Sequence, residues 1–524
     1  MEDILVVGAG PVGLVTACEL ARNGAQVRII DALERPDPLS RAVIIHPRTE
    51  EALAALGVLP DFEDAGWPQT AIEIFDGREA HERVHIGTHV ASRYQRMLNL
   101  PQTDTEAILT QRAHTLGLTI ERGVRLVAAE QSEDGVDVEL AGPTGTERLR
   151  VGWVVGADGA HSTLRDAVGT SLEGVYKGQT FVLADVATET ELSTDTMRVF
   201  AHPAGIAGAF PLKHGRTRFM FQVEKSPEGQ DAPTLDLVQG LINDRMQGHW
   251  RATDAYWLTY FEVHHGQVPQ YRFGRILLAG DAAHIHSPAG GQGMNTGIQD
   301  ATNLGWKLAL VATGRADDEL LDSYQDERHQ VGAEVVKQTM LLTNVMASSG
   351  AAVHLRNVGL VLLGHVHALG HELASNLTEV TINYRDSTIV DGPAGRHPGA
   401  VHPGDHAPEV EGLTSPDGMP AYIGDLLQRP GLVVVVRSDD PDVRRTVQTA
   451  MGDGATVTAI VTRAAADTPN VLVDQAGLFG KTYGIDDDGL VLIRPDGYVG
   501  LMMQPIDIDL LNDYLSTALS LRLS

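Results

Sequence analysis

The spacing of apolar residues changes twice within the first thirty positions of the chain. The run Ile4 to Val7 is continuously apolar, as in a buried parallel strand. Residues 11–22 then place apolar side chains at helical spacing, and 25–31 returns to a strand-like pattern that ends in Asp31. This order of strand, helix and strand predicts a βαβ unit within a parallel sheet.

Further along, the pattern predicts a mosaic of helices and strands. A Pro/Gly-rich segment over 391–410 predicts a boundary before a small, separate α/β domain. The predicted elements are a helix and its exit over 49–66, half-exposed strands over 71–86, a helix over 100–117, strands with tight turns over 118–140, a strand-rich region over 178–265, a helix from about Met294 to Thr313, and a helix-rich region over 316–375 in which 357–370 packs as a helix.

Composition narrows the classes of function. A chain of 524 residues is too long for one core, so two or three domains are expected. Its 69 acidic and 40 basic residues give a formal charge of −29, which argues against a nucleic-acid partner. The single cysteine, Cys18, excludes an intramolecular disulfide. The chain begins with a core strand and its apolar stretches are too short for a bilayer, so we expect a cytoplasmic protein without a membrane partner.

Three glycines after the first strand predict a dinucleotide site. Gly8 allows a tight turn, Gly10 lets the backbone approach a pyrophosphate, and Gly13 lets the helix pack closely on the strand. Asp31 lies about twenty residues further on, where an acidic side chain accepts from a ribose diol. An ordinary strand-turn-helix with incidental glycines is the alternative, but strand, helix, strand and terminal acid together favour the dinucleotide.

Two later segments add to this site. "VVGADGAHSTLR" (154–165) is a second strand that leads into a glycine turn. In "LLAGDAAHIHSPAGGQGMNTGIQDATNL" (277–304), Asp281 follows a buried strand, and glycines 290, 291 and 293 bring backbone N–H groups to a helix start, which favours a ligand that gains negative charge. His284 and His286 lack a nearby third ligand, so no metal site is predicted there.

These motifs together resemble those of the FAD-dependent aromatic hydroxylases of the para-hydroxybenzoate hydroxylase-like class. The resemblance rests on Gly8, Gly10 and Gly13 with Asp31, on "GADG" (156–159) with Ser162 and Arg165, and on "GDAAH" (280–284) with "GGQGMN" (290–295), and it covers residues 1 to about 390. The tail, with "LVLIRPDGYVG", is similar to the thioredoxin-like domain of the phenol hydroxylase and aromatic polyketide hydroxylase branch. That tail has no Cys-x-x-Cys, so a packing or homodimer-related role is expected rather than thiol exchange.

The resemblance implies an α/β fold: a Rossmann-like FAD-binding domain, an inserted β-sheet substrate domain and a thioredoxin-like C-terminal domain. The implied limits are 1–70, 99–177 and 266–390 for the first, 71–98 and 178–265 for the second, and 400–524 for the third. The implied FAD-binding residues are Gly8, Gly10, Gly13, Asp31, Arg41, Gln102, Asp158, Gly280, Asp281, Gly293, Met294 and Asn295, and those implied beside the isoalloxazine, at the catalytic centre, are Pro288, Gly290, Gly291 and Gly293.

The resemblance also assigns roles. Asp31 would hold the adenosine ribose, Arg41 and Gln102 would contact the pyrophosphate, and Asp281 would bind the ribityl-pyrophosphate portion. Asp158 would be shared between FAD and a transiently bound nicotinamide. FAD would be non-covalent, and NADPH or NADH would bind only transiently because the chain has no second glycine-acid unit.

The implied reaction is an oxygen insertion. In the family, reduced flavin and O2 give a C4a-hydroperoxide that hydroxylates an electron-rich aromatic carbon while the protein excludes water. A Baeyer–Villiger oxygenase and a protein that only binds FAD remain alternatives, while a halogenase is disfavoured because its WxWxIP stretch is absent. One position departs from the family: Gly266 stands about where relatives carry an arginine.

The strand-rich region predicts the substrate class. Its runs "IAGAFPL" and "RFMFQVE" are apolar, and Arg216 and Arg218 alternate with Thr217 and Phe219. We therefore expect both arginines to face solvent while the aromatic residues face inward. A small benzoate would need paired arginines for its carboxylate, so we predict a large, mostly apolar polycyclic phenol.

Overall fold

The fold was obtained as a computed structural model. The structure describes residues 3–38, 40–76, 79–86, 91–174, 179–226, 232–287, 289–346, 378–452, 455–464 and 468–522. The helix predicted over 357–370 and the candidate residue Pro288 lie outside these ranges.

Helices and strands alternate along most of the chain. The helices are α1 (Pro11–Arg22), α2 (Pro47–Leu56), α3 (Leu59–Ala65), α4 (Gln102–Thr115), α5 (Thr163–Ala167), α6 (Leu235–Arg245), α7 (Gln292–Ala312), α8 (Asp322–Met346), α9 (Pro441–Met451), α10 (Leu478–Tyr483) and α11 (Ile508–Asp513). The strands are β1 (Ile4–Val7), β2 (Val27–Asp31), β3 (Ile44–Ile45), β4 (Trp67–Gln69), β5 (Ala71–Asp76), β6 (Glu79–His85), β7 (Met97–Asn99), β8 (Ile120–Arg122), β9 (Arg125–Ser132), β10 (Gly135–Gly142), β11 (Gly145–Val151), β12 (Trp153–Gly156), β13 (Gln179–Glu189), β14 (Thr196–Ala201), β15 (Ala207–Pro211), β16 (Arg216–Val223), β17 (Arg251–Val263), β18 (Gly266–Gln267), β19 (Arg272–Phe273), β20 (Ile276–Leu278), β21 (His284–Ile285), β22 (Leu432–Arg437), β23 (Ala455–Val461), β24 (Val471–Val473), β25 (Gly489–Ile493) and β26 (Val499–Met503).

The first sheet carries all three glycine motifs. Its strand order is β19-β20-β12-β1-β2-β8, and every pair except β19 with β20 is parallel. Strands β1, β12 and β20 are fully buried, as their continuous apolar runs predicted. Because these three strands are neighbours and parallel, the motifs that follow them meet at one edge of the sheet.

The second sheet has seven strands in the order β17-β13-β16-β15-β14-β5-β6. One of its faces packs on α6, through a cluster that includes Phe219, Phe221 and Trp250. The other face, which we call the roof, gathers an apolar cluster of Phe181, Leu183, Val199, Ile206, Phe210, Met220, Trp257, Phe261 and Val263. Thr234 is the N-cap of α6, because its hydroxyl accepts from the Leu237 N–H at 3.2 Å. The sequence analysis did not anticipate this helix.

The C-terminal part contains a five-stranded sheet in the order β24-β23-β22-β25-β26. Its strands β22 and β25 are buried almost throughout and pack on helices on both sides. The mixed α/β architecture is the predicted fold class, whereas the thioredoxin-like description of this part and the domain limits stay predictions. In the part of the chain that the structure describes, no helix is long and apolar enough to cross a membrane.

The C-terminal part meets the first domain through buried charges. The guanidinium of Arg494 donates to both carboxylate oxygens of Glu327 on α8, at 2.6 and 2.8 Å. Lys307 and Asn303 of α7 donate to the same carboxylate at 2.7 Å each. Burial alone would raise the pKa of Glu327, but the charges of Arg494 and Lys307 outweigh it and hold that pKa well below its usual range.

Candidate functional site

The turn between β1 and α1 contains three glycines, of which two have no room for a side chain and one does. Gly8 has φ +103°, and a Cβ there would lie 2.3 Å from the Ala157 carbonyl oxygen. A Cβ on Gly13 would lie 1.9 Å from the Gly8 carbonyl oxygen, so the fold itself requires both glycines. A Cβ on Gly10 would meet no atom of the described residues within 4 Å, apart from its chain neighbours. Gly10 therefore lies at the N-terminus of α1 with space for a ligand in front of it.

Asp31, at the end of β2, reaches back to this turn. One carboxylate oxygen accepts from the Ala9 N–H at 2.7 Å, and the other accepts from the Leu33 N–H at 2.8 Å. The Arg122 guanidinium lies 3.6 Å away. These contacts hold the carboxylate beside the glycine turn, and each oxygen has a lone pair left for a ribose hydroxyl.

The second motif leaves one acceptor unused. One oxygen of Asp158 accepts from the Leu164 N–H at 3.2 Å, while Oδ1 is buried and has no partner among the described residues. Burial raises the pKa of Asp158, although hydrogen bonds from Ser162 and the backbone oppose the shift. Buried polar atoms are rarely left unpaired, so Oδ1 is an acceptor that the described residues leave available.

Arg165 joins the second motif to the third. Its guanidinium donates to the Ala160 carbonyl at 2.6 Å and to the Ala282 carbonyl at 3.2 Å. Ser162 caps the helix that carries it, since the serine hydroxyl accepts from the Arg165 N–H at 2.9 Å. The sequence analysis quoted both residues as part of the motif, and the structure gives each a contact.

Asp300 holds the third motif in place and was not anticipated from the sequence. Its fully buried carboxylate accepts from the Gly280 N–H at 3.1 Å, from His284 Nε2 at 2.8 Å and from Arg328 Nε at 2.7 Å. Burial alone would raise the pKa of Asp300. The charges of Arg328 and His284 outweigh burial, so the pKa lies below its usual value. The next residue after Gly280, Asp281, is exposed, yet the surrounding protein desolvates its carboxyl and raises its pKa.

The glycine loop before α7 is shaped by two left-handed residues. Gly290 has φ +83° and Gly291 has φ +68°, and the latter is the N-cap of α7. Asn295, in the first turn, donates to the Gly291 carbonyl at 2.7 Å and to the Ile44 carbonyl at 2.9 Å, and it accepts from the His46 N–H at 3.0 Å. The helix start is thereby fixed to β3 with its N–H groups directed forward. Its neighbour Met294 is buried.

His286 lies over this first turn. A Cβ on Gly293 would be 3.7 Å from its Cε1 atom. The ring is parallel to that of His284, with centroids 6.1 Å apart. Burial, followed by the neighbouring His284, lowers the pKa of His286 to about 4, so the ring is neutral at neutral pH.

Arg41 and Gln102 come from separate elements that meet beside the roof. Gln102 begins α4, and its side-chain oxygen accepts from the Ala42 N–H at 3.3 Å. Arg41 is exposed, with its guanidinium 5.7 Å from the centre of the Phe261 ring. The structure thus brings Arg41 to the junction between the first domain and the roof.

The prediction that Arg216 and Arg218 face solvent is wrong. Arg218 is 1% exposed, and its guanidinium pairs with Asp185 at 2.6 and 2.8 Å. Its remaining donors contact Ser40 Oγ at 2.9 Å and the carbonyl oxygens of Arg41 and Ala42 at 3.2 and 2.9 Å. Arg216 is half-buried and lies 3.3 Å from the same aspartate. The alternation along β16 was correct, but its two faces are used differently from the prediction: Phe219 and Phe221 pack on α6. The arginines share the roof face with Met220, where residues 40–42 cover Arg218 instead of water.

The departure at Gly266 has a packing reason. Gly266 pairs with Ile285, and a Cβ there would lie 3.1 Å from Leu172 Cβ and 3.3 Å from the Glu173 carbonyl oxygen. A long side chain does not fit at this position unless the segment 172–174 moves.

Comparison with known proteins decides the family. Residues 1–339 match the family model described as "FAD binding domain". The chain belongs to this FAD-binding family.

Several relatives that match this FAD-binding protein over nearly its whole length are monooxygenases. It is 34% identical to a 6-methylpretetramide 4-monooxygenase of Streptomyces rimosus over 511 residues, which cover 95% of this chain and 90% of the relative. Among solved structures it resembles the OxyS anhydrotetracycline hydroxylase from Streptomyces rimosus (30% identity, TM-score 0.78, 98% of both chains). It also resembles aklavinone-11 hydroxylase in a ternary complex with FAD and aklavinone (26% identity, TM-score 0.78, 99% of both chains). The chain is a flavin-dependent monooxygenase that uses FAD.

The residues present fit FAD. Gly10 leaves room for a pyrophosphate at a helix N-terminus, Asp158 has a buried acceptor without a described partner, and the first turn of α7 offers N–H groups. These three features lie on neighbouring parallel strands or directly after them, so one extended ligand can reach all of them.

Proposed function

We propose that this monooxygenase hydroxylates a large, mostly apolar polycyclic phenol, with NAD(P)H as reductant and O2 as the source of oxygen. The roof carries the proposal, because it is built mainly from aromatic and aliphatic side chains such as Phe181, Met220 and Trp257. The Arg218–Asp185 pair on the same face is closed against residues 40–42. The names of the relatives agree with this class, since anhydrotetracycline and aklavinone are the compounds in their descriptions.

The state of Arg218 argues against a small benzoate. A guanidinium has five N–H donors, and Arg218 makes five hydrogen bonds to Asp185, Ser40 and the backbone of residues 41 and 42. It has no donor left for a substrate carboxylate. Removing it from its partners would leave the Asp185 charge buried and unpaired, which is costly.

We assign the following roles to the chain's own residues. Gly10 and the N-terminus of α1 bind the pyrophosphate, Asp31 binds the adenosine ribose, and Asp281 accepts from the ribityl chain. Arg41, Gln102 and Asp158 complete the binding site, and the turn Gly290–Gly291 aims the N–H groups of α7 at the flavin ring. When bound, FAD supplies electron transfer and the activation of O2. The roof keeps water away from the ring and orients the aromatic substrate.

The test is a substrate panel with the FAD-loaded enzyme. We expect coupled NAD(P)H oxidation and a product one oxygen heavier with an anthraquinone- or angucycline-type phenol, and weak, uncoupled oxidation with 4-hydroxybenzoate. Met220→Arg, which adds a charge to the roof, should abolish coupling, whereas Met220→Leu should preserve it. Tight coupling with only the small benzoate would contradict the proposal. Structure determination of the product separates a new phenolic hydroxyl from the lactone or ester of a Baeyer–Villiger reaction.

A further inference from the structure

One residue in the middle of the roof has no side chain. Gly208 on β15 pairs with Val199 on one side and with Met220 on the other, and both neighbours belong to the roof. Gly208 lies inside a strand and outside the left-handed region, so its backbone conformation does not require glycine. A glycine inside a strand weakens it and often marks the close approach of another group.

The ring of Phe210 makes this close approach. The two residues are two positions apart on β15, so both face the same side of the sheet. A Cβ on Gly208 would lie 2.8 Å from Phe210 Cε2 and 2.9 Å from Cζ, far below the ordinary carbon–carbon separation of about 3.5 Å. Met220 Cε, at 3.8 Å from the same point, is at ordinary contact distance. The far edge of the Phe210 ring therefore occupies the place of the missing side chain.

Phe210 also connects the roof with the first domain. It is half-buried and packs against a second apolar cluster, which contains Ile44 on β3 and Met97 on β7. Ile44 in turn adjoins the start of α7, because a Cβ on Gly291 would lie 2.8 Å from its Cδ1 atom. A ring that is pushed off β15 therefore moves toward the first domain and toward the helix start that we assign to the flavin ring.

The charged neighbour of Phe210 has no donor left for a ligand. Arg218 lies opposite Phe210 on β16, and its five hydrogen bonds to Asp185 and to residues 40–42 use its guanidinium completely. The roof residues that adjoin Gly208 are apolar, namely Val199, Ile206 and Met220. This part of the roof thus offers a flat apolar surface, which suits fused aromatic rings.

We propose that Gly208 is a specificity-determining residue, which keeps the space under the roof high enough for a polycyclic phenol. Because Gly208 has no Cβ, the Phe210 ring lies against the strand instead of projecting from it. Fused rings form one rigid plane that needs this height along the whole roof, whereas a single ring can shift or tilt. The inference rests on the proposed function, since it concerns the substrate class of the same site.

The test measures equilibrium binding of 2-hydroxyanthracene and of phenol, which differ by two fused rings, to the oxidised, FAD-loaded enzyme. The change in flavin absorbance gives both dissociation constants, and no turnover occurs because reductant is left out. Gly208→Ala should weaken binding of 2-hydroxyanthracene about tenfold, the factor of a modest steric clash, and binding of phenol less than about twofold. Phe210→Trp, which enlarges the ring instead of the strand, is a second variant with the same expected selectivity. Gly240→Ala is the control, since its Cβ on α6 has no described atom within 4 Å.

A double variant separates this role from a general disturbance of the sheet. In Phe210→Ala the ring is absent, so the further change Gly208→Ala should alter neither dissociation constant by more than about twofold. A tenfold loss that persists in the double variant, equal losses for the two probes, or no loss in Gly208→Ala would overturn the inference.

Failure of the proposed function would look different. If 2-hydroxyanthracene binds with the expected pattern but NAD(P)H oxidation with polycyclic phenols gives no product one oxygen heavier, the proposed hydroxylation fails and the role of Gly208 stands. If such a product forms while the variants show no selectivity between the probes, the role of Gly208 fails and the proposed function stands.

Discussion

Two buried regions of the FAD-binding domain differ in whether their polar atoms have hydrogen-bond partners. Beside the glycine motifs, Asp158 Oδ1 has no partner among the described residues, and Gly10 faces open space. Toward the C-terminal part, Arg494 and Glu327 bond to each other and to further side chains through every polar atom.

This difference separates ligand binding from assembly. A buried polar atom without a hydrogen-bond partner costs free energy unless a ligand supplies the partner. An ion pair whose atoms all have partners joins two parts of the chain and needs no ligand. Changes at the open groups, those without a partner, should therefore reduce ligand affinity, and changes at the closed groups, those with partners, should reduce stability.

The largest effect on the open side is expected from Gly10→Val. The added Cβ has no described atom within 4 Å, so the protein should fold, but the side chain fills the space before α1 and the variant should purify colourless and fail to take up FAD. The control is Gly240→Val, at another position with no protein atom within 4 Å of the added Cβ. Absorbance after reconstitution and acid release of the flavin measure the result. A yellow, FAD-loaded Gly10→Val protein would break the comparison.

On the closed side, Arg494→Met should lower the free energy of unfolding by about 3–5 kcal/mol, because it leaves Glu327 buried with part of its charge uncompensated. The matched control is Arg522→Met, which removes an exposed pair with Asp317 and should cost less than about 1 kcal/mol. Chemical denaturation measures both. FAD affinity of the folded variant should be unchanged, and a stable variant with weakened flavin binding would reverse our interpretation.

Asp281→Ala should weaken FAD binding by about 1.5–3 kcal/mol, the worth of a charge-assisted hydrogen bond, with little change in unfolding. Asp166→Ala, at an exposed aspartate of α5, is the control. Flavin titration followed by fluorescence gives both affinities. Equal affinities would remove Asp281 from the binding site.

Glu379 differs from both groups, because it has a buried oxygen without a described partner and lies outside the sites that we assign to ligands. It is buried beside Gln299, Arg328, Arg48 and Asp300, and its Oε1 has no described partner. Burial raises the pKa of its carboxyl to about 8, against the favourable charges of Arg328 and Arg48. The buried carboxyl of Glu379 is therefore protonated at neutral pH. The folded state binds this proton more tightly than the unfolded state does.

The sign of the pH dependence follows from that shift. The contribution of Glu379 to stability is complete below its unfolded pKa of 4.5 and is lost as pH rises through about 8. Glu379→Gln cannot ionise, so the variant should match the parent near pH 5 and exceed it near pH 9 by about 1 kcal/mol or more. Thermal unfolding at the two pH values measures this. Equal losses for both proteins on going to high pH would refute the assignment.

Much of the first domain could be predicted because its signals are local. The glycine spacing, the acid at the end of β2 and the helix predicted from about Met294 to Thr313 depend on residues close together in sequence. The structure has each of these elements, with the helix over Gln292–Ala312. The roles of the individual site residues stay predictions. Helix α6 was missed because it is short and lies within a strand-rich region, although Thr234 is a recognisable N-cap.

The remaining features depend on contacts between distant parts of the chain. Alternation along β16 indicates which residues share a face, but not that residues 40–42 cover the face of Arg218. Arg494 and Glu327 are 167 positions apart, and neither carries a local signal of its partner. Asp300 lies on a helix whose pattern predicts burial but not the three donors around its carboxylate.

The pairing of β14 with β5 has a consequence for exchanging specificity between relatives. These strands are parallel neighbours, aligned from Thr196 with Ala71 to Ala201 with Asp76, and Phe75 stacks on Phe200 with ring centroids 4.5 Å apart. The sheet that carries the roof is therefore encoded by two stretches of gene, with part of the first domain between them. A chimera that replaces only 179–263 joins a foreign edge to a native strand, so recombination between homologous genes transfers a working roof only when both stretches move together.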